Sequence, residues 1–252
     1  MDLKDKTILI TGSTDGGVGR VVAQRLGAGG ARVLVHGRDA ARGKATVAEI
    51  ESAGGKAEFL AANLASLAEV RRLAEAVRVK TDRLDILINN AGIGTAGAKR
   101  QLSADGFELR FAVNYLAGFL LTSELLPLLK ASSPARIINV ASAGQQAIDF
   151  GDVMLTRSYD GVRAYCQSKL AQILFTIEPG RRVERQRRHR QRSASSELHE
   201  HHHGPPSRRD AMELGRDRRR RHSQPRDIAR PGGPQWPLFR WPKGIPRRST
   251  SL

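Results

Sequence analysis

Three residues in the central part of the chain, Ser142, Tyr165 and Lys169, could together carry out acid–base chemistry on an oxygen atom. Tyr165 and Lys169 are four residues apart in the segment AYCQSKLAQILF, which is typical of a helix, so both side chains project from one face. A phenol, with a reference pKa near 10, is a poor base at neutral pH, but an adjacent ammonium group favours its ionised form. Tyr165 could then exchange a proton with a substrate oxygen to which Ser142 donates a hydrogen bond. The alternative interpretation is an ordinary Tyr/Lys pair on a helix surface.

A second group of residues, near the N-terminus, could bind phosphate. The segment TGSTDGGVG, residues 11–19, follows an apolar run and opens a helix-like stretch. Glycines at such a point let the backbone approach a pyrophosphate while the helix N-terminus faces it. After the next apolar run, Arg38 stands where an acidic residue would accept a ribose 2′-hydroxyl, which suits a 2′-phosphate and indicates NADP rather than NAD. An ordinary tight turn and a solvated cation at Arg38 are the alternatives.

These residues must be positioned by a regular alternation of strands and helices over residues 1–180. Short β-rich runs are predicted at 6–11, 31–37, 57–62, 85–90 and 135–142, and helix-like stretches lie between them, for instance 40–54 and 66–80. Asp39, Ser66 and Ser103 stand where helix N-caps are expected. Continuous apolar strands separated by helices predict an α/β fold, a Rossmann-like doubly wound parallel sheet whose ligands bind beyond the carboxyl ends of the strands.

With these motifs in this order, the chain resembles the short-chain dehydrogenase/reductase family over residues 1 to about 178. Thr11-Gly12 with Gly16 and Gly19 is similar to the cofactor loop of the family, and Asn89-Asn90-Ala91-Gly92 is similar to its strand-four motif. Asn114 resembles a helix asparagine that holds a proton-relay water, and Ser142 with YCQSK (165–169) matches the family's serine and YxxxK. The 22 residues between Ser142 and Tyr165 are similar to the retinol-dehydrogenase and protochlorophyllide-reductase branch.

The resemblance implies hydride transfer between NADP(H), with NAD(H) as the second choice, and a carbonyl/alcohol pair. The implied catalytic residues are Asn114, Ser142, Tyr165 as acid/base and Lys169, which would also hold the nicotinamide ribose. The implied cofactor-binding residues come from the strand ends and the catalytic helix: Gly12, Ser13, Thr14, Gly16, Gly17, Val18, Gly19, Arg38, Asn63, Leu64, Asn90, Ala91, Gly92, Tyr165 and Lys169. No metal site is implied.

Three features depart from the family pattern. The glycine loop is one residue longer than the family spacing TGxxxGxG, which puts Val18 in place of the last glycine and that glycine at Gly19. The extra residue could displace the backbone from the pyrophosphate or bulge without effect. After the third strand, Asn63-Leu64 replaces the usual Asp-Leu that meets the adenine ring, so the side chain stays polar and loses its charge. The third departure is the whole sequence after residue 178.

The positive charge of the chain is concentrated in this C-terminal part. The 252 residues have a formal net charge of +17, of which residues 181–252 contribute +13 and residues 1–180 only +4. Leu, Ile, Val and Phe together number 8 among the last 72 residues, which is too few to close a core. We therefore expect residues 1–180 to form an incomplete dinucleotide-binding and catalytic domain, followed by a disordered Arg-rich tail over residues 181–252.

Three explanations for this tail are open. A nucleic-acid-binding arm fits the charge, but its aromatic residues Trp236, Phe239 and Trp241 cluster at the far end instead of alternating with arginine. Metal binding by the four histidines between 199 and 203 lacks helical or zinc-finger spacing. We favour a change of reading frame near the codons of Glu178 and Pro179, because a GC-rich back-translation shifted by one base contains the family's remaining segments in order.

The predicted function is therefore an NADP(H)-dependent oxidoreductase whose activity is impaired by the tail. The alternatives are a nucleic-acid-binding protein that uses the basic tail and a catalytically inactive scaffold. The chain has a single cysteine, Cys166, lacks a run of about 18 apolar residues, and begins without a signal-peptide pattern. We expect a cytoplasmic protein that acts on a small carbonyl or alcohol substrate and does not enter the membrane or act on nucleic acid. The resemblance to the family also implies homo-oligomers formed through the helix that carries Tyr165 and the adjacent helix.

Overall fold

A five-stranded parallel sheet forms the centre of the described part of the chain. The computed structural model describes residues 3–94 and 99–177, which all belong to one compact unit. The strands are β1 (Thr7–Ile10), β2 (Arg32–Gly37), β3 (Lys56–Ala61), β4 (Ile86–Asn89) and β5 (Arg136–Asn139), in the order β3-β2-β1-β4-β5. The predicted Rossmann-like α/β fold is thus confirmed. The predicted boundary at residue 180 and the basic tail lie outside the described residues.

Helices cover both faces of this sheet, because successive strand residues point to opposite sides. The helices are α1 (Val18–Ala28), α2 (Ala40–Ser52), α3 (Leu67–Lys80), α4 (Leu109–Phe111), α5 (Ala117–Ala131) and α6 (161–177), and a π-helical turn, Ala112–Leu116, joins α4 to α5. One apolar core contains Leu9, Leu34 and Leu87 together with α3 and α5. The other core, on the opposite face, contains Ile8, Val33 and α1 and α2 residues. The sheet is doubly wound, as the continuous apolar runs predicted.

The N-caps account for where two of these helices begin. The carboxylate of Asp39 accepts a hydrogen bond from the Arg42 amide at 3.0 Å, and Ser66 caps α3 in the same way. The prediction for Ser103 is wrong, because its hydroxyl accepts hydrogen bonds from two amides of the turn before α4. The cap of α4 is Glu108, which accepts from the Phe111 amide at 2.7 Å. A buried ion-pair network fixes Glu108, and that network could not be read from local spacing.

One helical stretch, Leu109–Ala131, is long and apolar enough to cross a membrane by length and composition alone. Polar residues interrupt it, so it differs from the uninterrupted apolar run sought in the sequence. In this fold Leu121 and Leu125 are fully buried and pack in the same core as α3. Burial in the core therefore accounts for part of the apolar composition, and the cytoplasmic location stays a prediction.

Candidate active site and cofactor cleft

Two adjoining clefts lie at the carboxyl end of the sheet, beside the point between β1 and β4 where the strand order reverses. The first cleft, of about 380 Å³, is lined by the glycine loop and by the residues that follow β2, β3 and β4. The second, of about 390 Å³, is lined by Tyr165, Lys169 and the residues after β5. Both clefts share Asn90, Gly92 and Val140, so one elongated ligand could occupy them together.

The glycine loop approaches β4 closely at two glycines. Gly12 has a φ of +64°, and a Cβ there would lie 2.8 Å from the Cα of Ala91. A Cβ at Gly19 would overlap the Gly12 carbonyl oxygen and the Asn90 side-chain amide. That amide donates hydrogen bonds of 2.9 Å to the carbonyls of Thr11 and Gly12, which ties the loop to β4.

The additional residue of the loop is accommodated away from this contact. A Cβ on Gly16 or on Gly17 would meet nothing within 4 Å, whereas Gly19 keeps the close approach to Gly12. The loop therefore bulges in its open middle part and keeps its two ends in place. Of the loop residues implied to bind the cofactor, Gly12, Thr14, Gly17, Val18 and Gly19 line the first cleft.

The remaining two implied loop residues, Ser13 and Gly16, do not line the cleft among the described residues. The Ser13 side chain is fully buried, donates a hydrogen bond to the Ile10 carbonyl at 2.9 Å and accepts one from the His36 amide at 3.1 Å. The serine thus joins β1 to the end of β2. Its role is to hold the cleft walls together.

A buried histidine, His36, stands at the end of β2 beside the loop. Its Nδ1 accepts a hydrogen bond from the Gly12 amide at 3.1 Å, which requires an unprotonated Nδ1. Burial lowers the pKa of His36 from its ordinary value of 6.5 to about 4, against a smaller opposing contribution from the Ala62 backbone. The imidazole is neutral at pH 7 and fixes the conformation of Gly12. No role was predicted for His36 from the sequence, although its position directly before Gly37-Arg38 at the end of the predicted strand could have indicated one.

Two arginines line the part of the first cleft beside β2 and α2. Arg38, implied by the sequence, is exposed and lines the cleft, and it forms no ion pair with the described residues. Arg42, on the first turn of α2, also lines the cleft and was missed. Its guanidinium lies 2.6 Å from the Asp15 carboxylate and 3.2 Å from that of Asp39. Its place one helical turn after Arg38 is the signal that could have found it.

The residues after β3 and β4 complete the first cleft. Asn63 and Leu64 line it, and the Asn63 side-chain oxygen accepts a hydrogen bond from the Ala65 amide at 3.1 Å. Asn90, Ala91 and Gly92 line it from the β4 side. The structure therefore brings together, at the ends of four strands, the implied cofactor-binding residues other than Ser13, Gly16 and the two residues of α6.

Lys169 is the buried charge of the second cleft. Its side-chain nitrogen donates hydrogen bonds to the Val140 carbonyl at 2.9 Å and to the Gln172 side-chain oxygen at 3.2 Å. Burial lowers the pKa of the Lys169 ammonium group from its usual value. The nitrogen lies 6.0 Å from the centroid of the Tyr165 ring, so the two side chains share one helix face as predicted. Gln172 is almost completely buried and was not identified from the sequence.

Two glycines, Gly94 and Gly144, lie close to the ring of Tyr165. A Cβ on Gly94 would overlap its ring, and a Cβ on Gly144 would lie 3.6 Å from that ring and 3.5 Å from the Ser142 hydroxyl oxygen. The Ser142 hydroxyl accepts a hydrogen bond from the Gly144 amide at 3.1 Å. Ser142 and Tyr165 therefore both lie close to Gly144.

Asn114 lies in the π-helical turn and is buried. Its side chain accepts a hydrogen bond from the Ile93 amide at 2.8 Å and donates to the Ile93 carbonyl at 2.9 Å and to the Ser168 hydroxyl at 3.0 Å. These bonds connect the segment after β4 to α6, directly next to Lys169. π-Helical turns are frequent at functional sites, and nothing in the local sequence predicted this one.

A buried ion-pair network holds the segment between β5 and α6 against α4. The Tyr159 hydroxyl donates to the Glu108 carboxylate at 3.1 Å and accepts a hydrogen bond from Arg110, and both charged residues are almost completely buried. Gln167 on α6 donates to the Val153 carbonyl of the same segment at 2.7 Å. The sequence analysis missed this network because its members are about 50 residues apart in the chain.

Among residues 3–94 and 99–177, no three His, Cys, Asp or Glu side chains are grouped so that they could hold a metal ion. The histidines between 199 and 203 lie outside the described residues.

A parallel sheet with a glycine loop after β1 and a Tyr/Lys pair on a helix beside the switch point is typical of one class of dinucleotide-dependent oxidoreductases. Residues 6–186 match the family described as short chain dehydrogenase, and the chain belongs to this family. The resemblance found in the sequence over residues 1 to about 178 is thus confirmed.

Curated relatives include retinol dehydrogenases. Human (Homo sapiens) retinol dehydrogenase 13 is 41% identical over 184 residues, which cover 71% of this chain and 55% of that protein. Retinol dehydrogenase 14 of Mus musculus is 39% identical over 193 residues, covering 71% of this chain and 57% of that protein. The chain thus spans a little more than half the length of these relatives.

Solved structures show the same fold. A metagenomic short-chain oxidoreductase in complex with NADP is 28% identical, with a TM-score of 0.61, and the match covers 73% of this chain and 79% of the other. A short chain dehydrogenase/reductase from Burkholderia phymatum in complex with NAD is 26% identical, with a TM-score of 0.57, covering 71% and 60% of the two chains.

Proposed function

We propose that this chain binds NADP(H) in preference to NAD(H) and catalyses hydride transfer between the nicotinamide and a carbonyl/alcohol substrate, with Tyr165 as the acid/base. The observation that carries the proposal is the buried Lys169 ammonium group, held by Val140 and Gln172 under the Tyr165 ring at the edge of the second cleft. Burial disfavours the ionised form of a lysine, and ionisable groups buried beside a cleft are often catalytic.

The residues of the first cleft fit the adenosine half of the cofactor. The close backbone approach at Gly12 and Gly19 leaves the N-terminus of α1 facing the cleft, which is the arrangement that binds a pyrophosphate. Arg38 and Arg42 lie where a 2′-phosphate would need cations. Asn63 and Leu64 would border the adenine ring.

The residues of the second cleft fit the reacting half. The bound dinucleotide supplies the hydride or accepts it at its nicotinamide ring. Tyr165 gives a proton to the carbonyl oxygen during reduction and removes it from the alcohol during oxidation, and the Lys169 side-chain nitrogen lies 6.0 Å from the centroid of its ring. Ser142 hydrogen-bonds the same oxygen. Asn114 fixes the position of α6 and, through a water molecule, would connect Lys169 to solvent.

The proposed substrates are small apolar aldehydes, ketones or alcohols, and retinal is the first compound to test because relatives are named retinol dehydrogenases. The cytoplasmic location and the homo-oligomeric state belong to the same proposal.

The test measures cofactor binding and turnover separately on the full chain. NADPH binding is followed by its fluorescence and by the thermal unfolding midpoint, and turnover is followed by loss of NADPH absorbance with retinal and a series of aldehydes. We expect saturable NADPH binding that is tighter than NADH binding, together with slow turnover. Failure of both dinucleotides to bind would exclude the proposal, and binding to DNA that falls steeply with salt would favour the nucleic-acid alternative instead.

A further inference from the structure

The glycine loop carries a carboxylate that faces the adenosine end of the cleft. Asp15, in the lengthened part of this loop, lies 2.6 Å from the Arg42 guanidinium, across the cleft that both residues line. Asp15 and Arg42 are 64% and 54% exposed, so solvent reaches the pair. None of the sequence motifs assigned a role to Asp15.

The second carboxylate that pairs with Arg42, that of Asp39, also caps a helix. Asp39 lies 3.2 Å from Arg42, but it also caps α2 by accepting a hydrogen bond from the Arg42 amide at 3.0 Å. Moving Asp39 would uncap the helix. Asp15 does not cap a helix, since the N-cap of α1 is Gly17. The neighbouring Gly16 and Gly17 have open space around them, so the loop can move Asp15 with little steric hindrance.

Resting on the proposed dinucleotide binding, we propose that Asp15 is a specificity-determining residue that lowers the preference for NADP(H) over NAD(H) by neutralising Arg42. A 2′-phosphate that enters this end of the cleft must compete with the Asp15 carboxylate for the Arg42 guanidinium. Because both groups are anions, the phosphate and the carboxylate also repel each other. Arg38 remains available to the phosphate without competition. A ribose 2′-hydroxyl carries no charge and leaves the Asp15–Arg42 pair intact, so NADH binding does not depend on breaking it.

The experiment compares ligands that differ only in the 2′-phosphate. Dissociation constants of NADPH and NADH, and of the half-ligands 2′,5′-ADP and 5′-ADP, are measured by calorimetry on the full chain and on Asp15→Asn. The half-ligands need the first cleft alone, so they report on Asp15 even in a chain that turns over poorly. We expect Asp15→Asn to tighten NADPH and 2′,5′-ADP about five-fold and to change NADH and 5′-ADP less than two-fold.

Two further variants isolate the interaction. Glu75→Gln removes an equally exposed carboxylate that pairs with Arg78 on α3, and it should leave all four constants unchanged because it alters only the net charge. In an Arg42→Gln background, Asp15→Asn should have no selective effect. A circular dichroism spectrum and an unfolding midpoint confirm that each variant folds.

The outcomes separate this inference from the proposed function. Normal binding of both dinucleotides with no selective effect of Asp15→Asn, or an effect that persists without Arg42, would overturn the role of Asp15 and leave the proposed function standing. Absence of binding by the unsubstituted chain would overturn both.

Discussion

Side chains around the two clefts are held mainly by backbone groups. His36 is fixed by the Gly12 amide, Lys169 by the Val140 carbonyl and Asn114 by both polar groups of Ile93. A backbone partner stays in place when a neighbouring side chain is replaced. Conservative substitutions at these sites should therefore change chemistry and leave the fold largely intact, which makes them informative.

Replacement of Tyr165 by phenylalanine should separate catalysis from cofactor binding. The ring and its contacts with Gly94 and Gly144 remain, while the proton donor is lost. We expect turnover to fall by about 10² to 10⁴-fold, with the dissociation constant of NADPH changed less than three-fold. Tyr115→Phe is the matched control, because this tyrosine packs between Phe111 and Phe119 and lines neither cleft. Equal loss of activity in both variants would contradict the role of Tyr165.

The buried His36 should make the fold sensitive to acid. The unfolded chain protonates this imidazole near pH 6.5, whereas the folded chain does so only near pH 4, so protons favour the unfolded state between these values. The free energy of unfolding should fall by about 2 kcal/mol from pH 7 to pH 5 through this group.

Denaturant titrations of His36→Asn provide the comparison. The asparagine oxygen can accept the Gly12 amide hydrogen bond in place of Nδ1 and does not titrate. Its loss of stability between pH 7 and pH 5 should be smaller than that of the unsubstituted chain by this amount. Parallel curves for the two proteins would show that His36 is not the group responsible.

The glycine loop and α1 act as one element against β4. A methyl group at Gly19 would overlap the Gly12 carbonyl and the Asn90 amide, so Gly19→Ala should destabilise the fold by about 1–3 kcal/mol and weaken NADPH binding. Gly16→Ala places the same methyl group in open space and should stay within about 0.5 kcal/mol. Thermal unfolding of both variants with and without NADPH measures the difference. Similar losses for the two would mean that loop length, and not close packing at Gly19, limits the site.

The segment before α6 depends on the buried network of Glu108, Arg110 and Tyr159. Glu108→Ala leaves the buried Arg110 guanidinium without its carboxylate and removes the cap of α4, and we expect a loss of about 3–5 kcal/mol. Glu75→Ala removes one partner of an exposed pair with Arg78 and should change stability by less than about 1 kcal/mol. Urea unfolding midpoints of the two variants test the contrast. A small effect of Glu108→Ala would show that solvent enters this part of the structure.

Local sequence patterns predicted the strands and most of the helices, but they did not predict the contacts between segments that are distant in the chain. The helix over 66–80 and the caps at Asp39 and Ser66 follow from the local pattern of the sequence, and the structure shows all three. The roles of Glu108 and Gln172 depend on partners from elsewhere in the chain, and the π-helical turn at Asn114 depends on its bonds to Ile93 and Ser168. Spacing along the chain carries no information of that kind.

At the scale of the whole molecule, the sheet has an open edge in the described part of the chain. Strand β5 pairs with β4 on one side, and no described residue pairs with its other side. Ile137 and Ile138 are 39% and 44% exposed there, in contrast to the fully buried residues of β1. Unpaired apolar edges promote aggregation, so a further strand at this position would stabilise the protein.

The tail sequence offers an origin for that further strand. The family match ends at residue 186, the charge of +13 lies in residues 181–252, and a GC-rich back-translation of the tail can be read, one base out of frame, as segments that resemble the family. We propose that the coding sequence contains one extra base near the codons of Glu178 and Pro179. Genomic DNA read across these codons should have one base fewer, and expression in the restored frame should raise the unfolding midpoint and the turnover of NADPH together.

A protein with the present tail as its native sequence would give the opposite results. The genomic sequence would keep the present frame, and the restored-frame protein would be no more stable than this one. DNA binding would then fall with a steep salt slope, because about twenty cations lie in residues 181–252, and each phosphate that they neutralise releases counterions. Stability, turnover and salt dependence therefore distinguish a damaged oxidoreductase from a nucleic-acid-binding protein on the same scaffold.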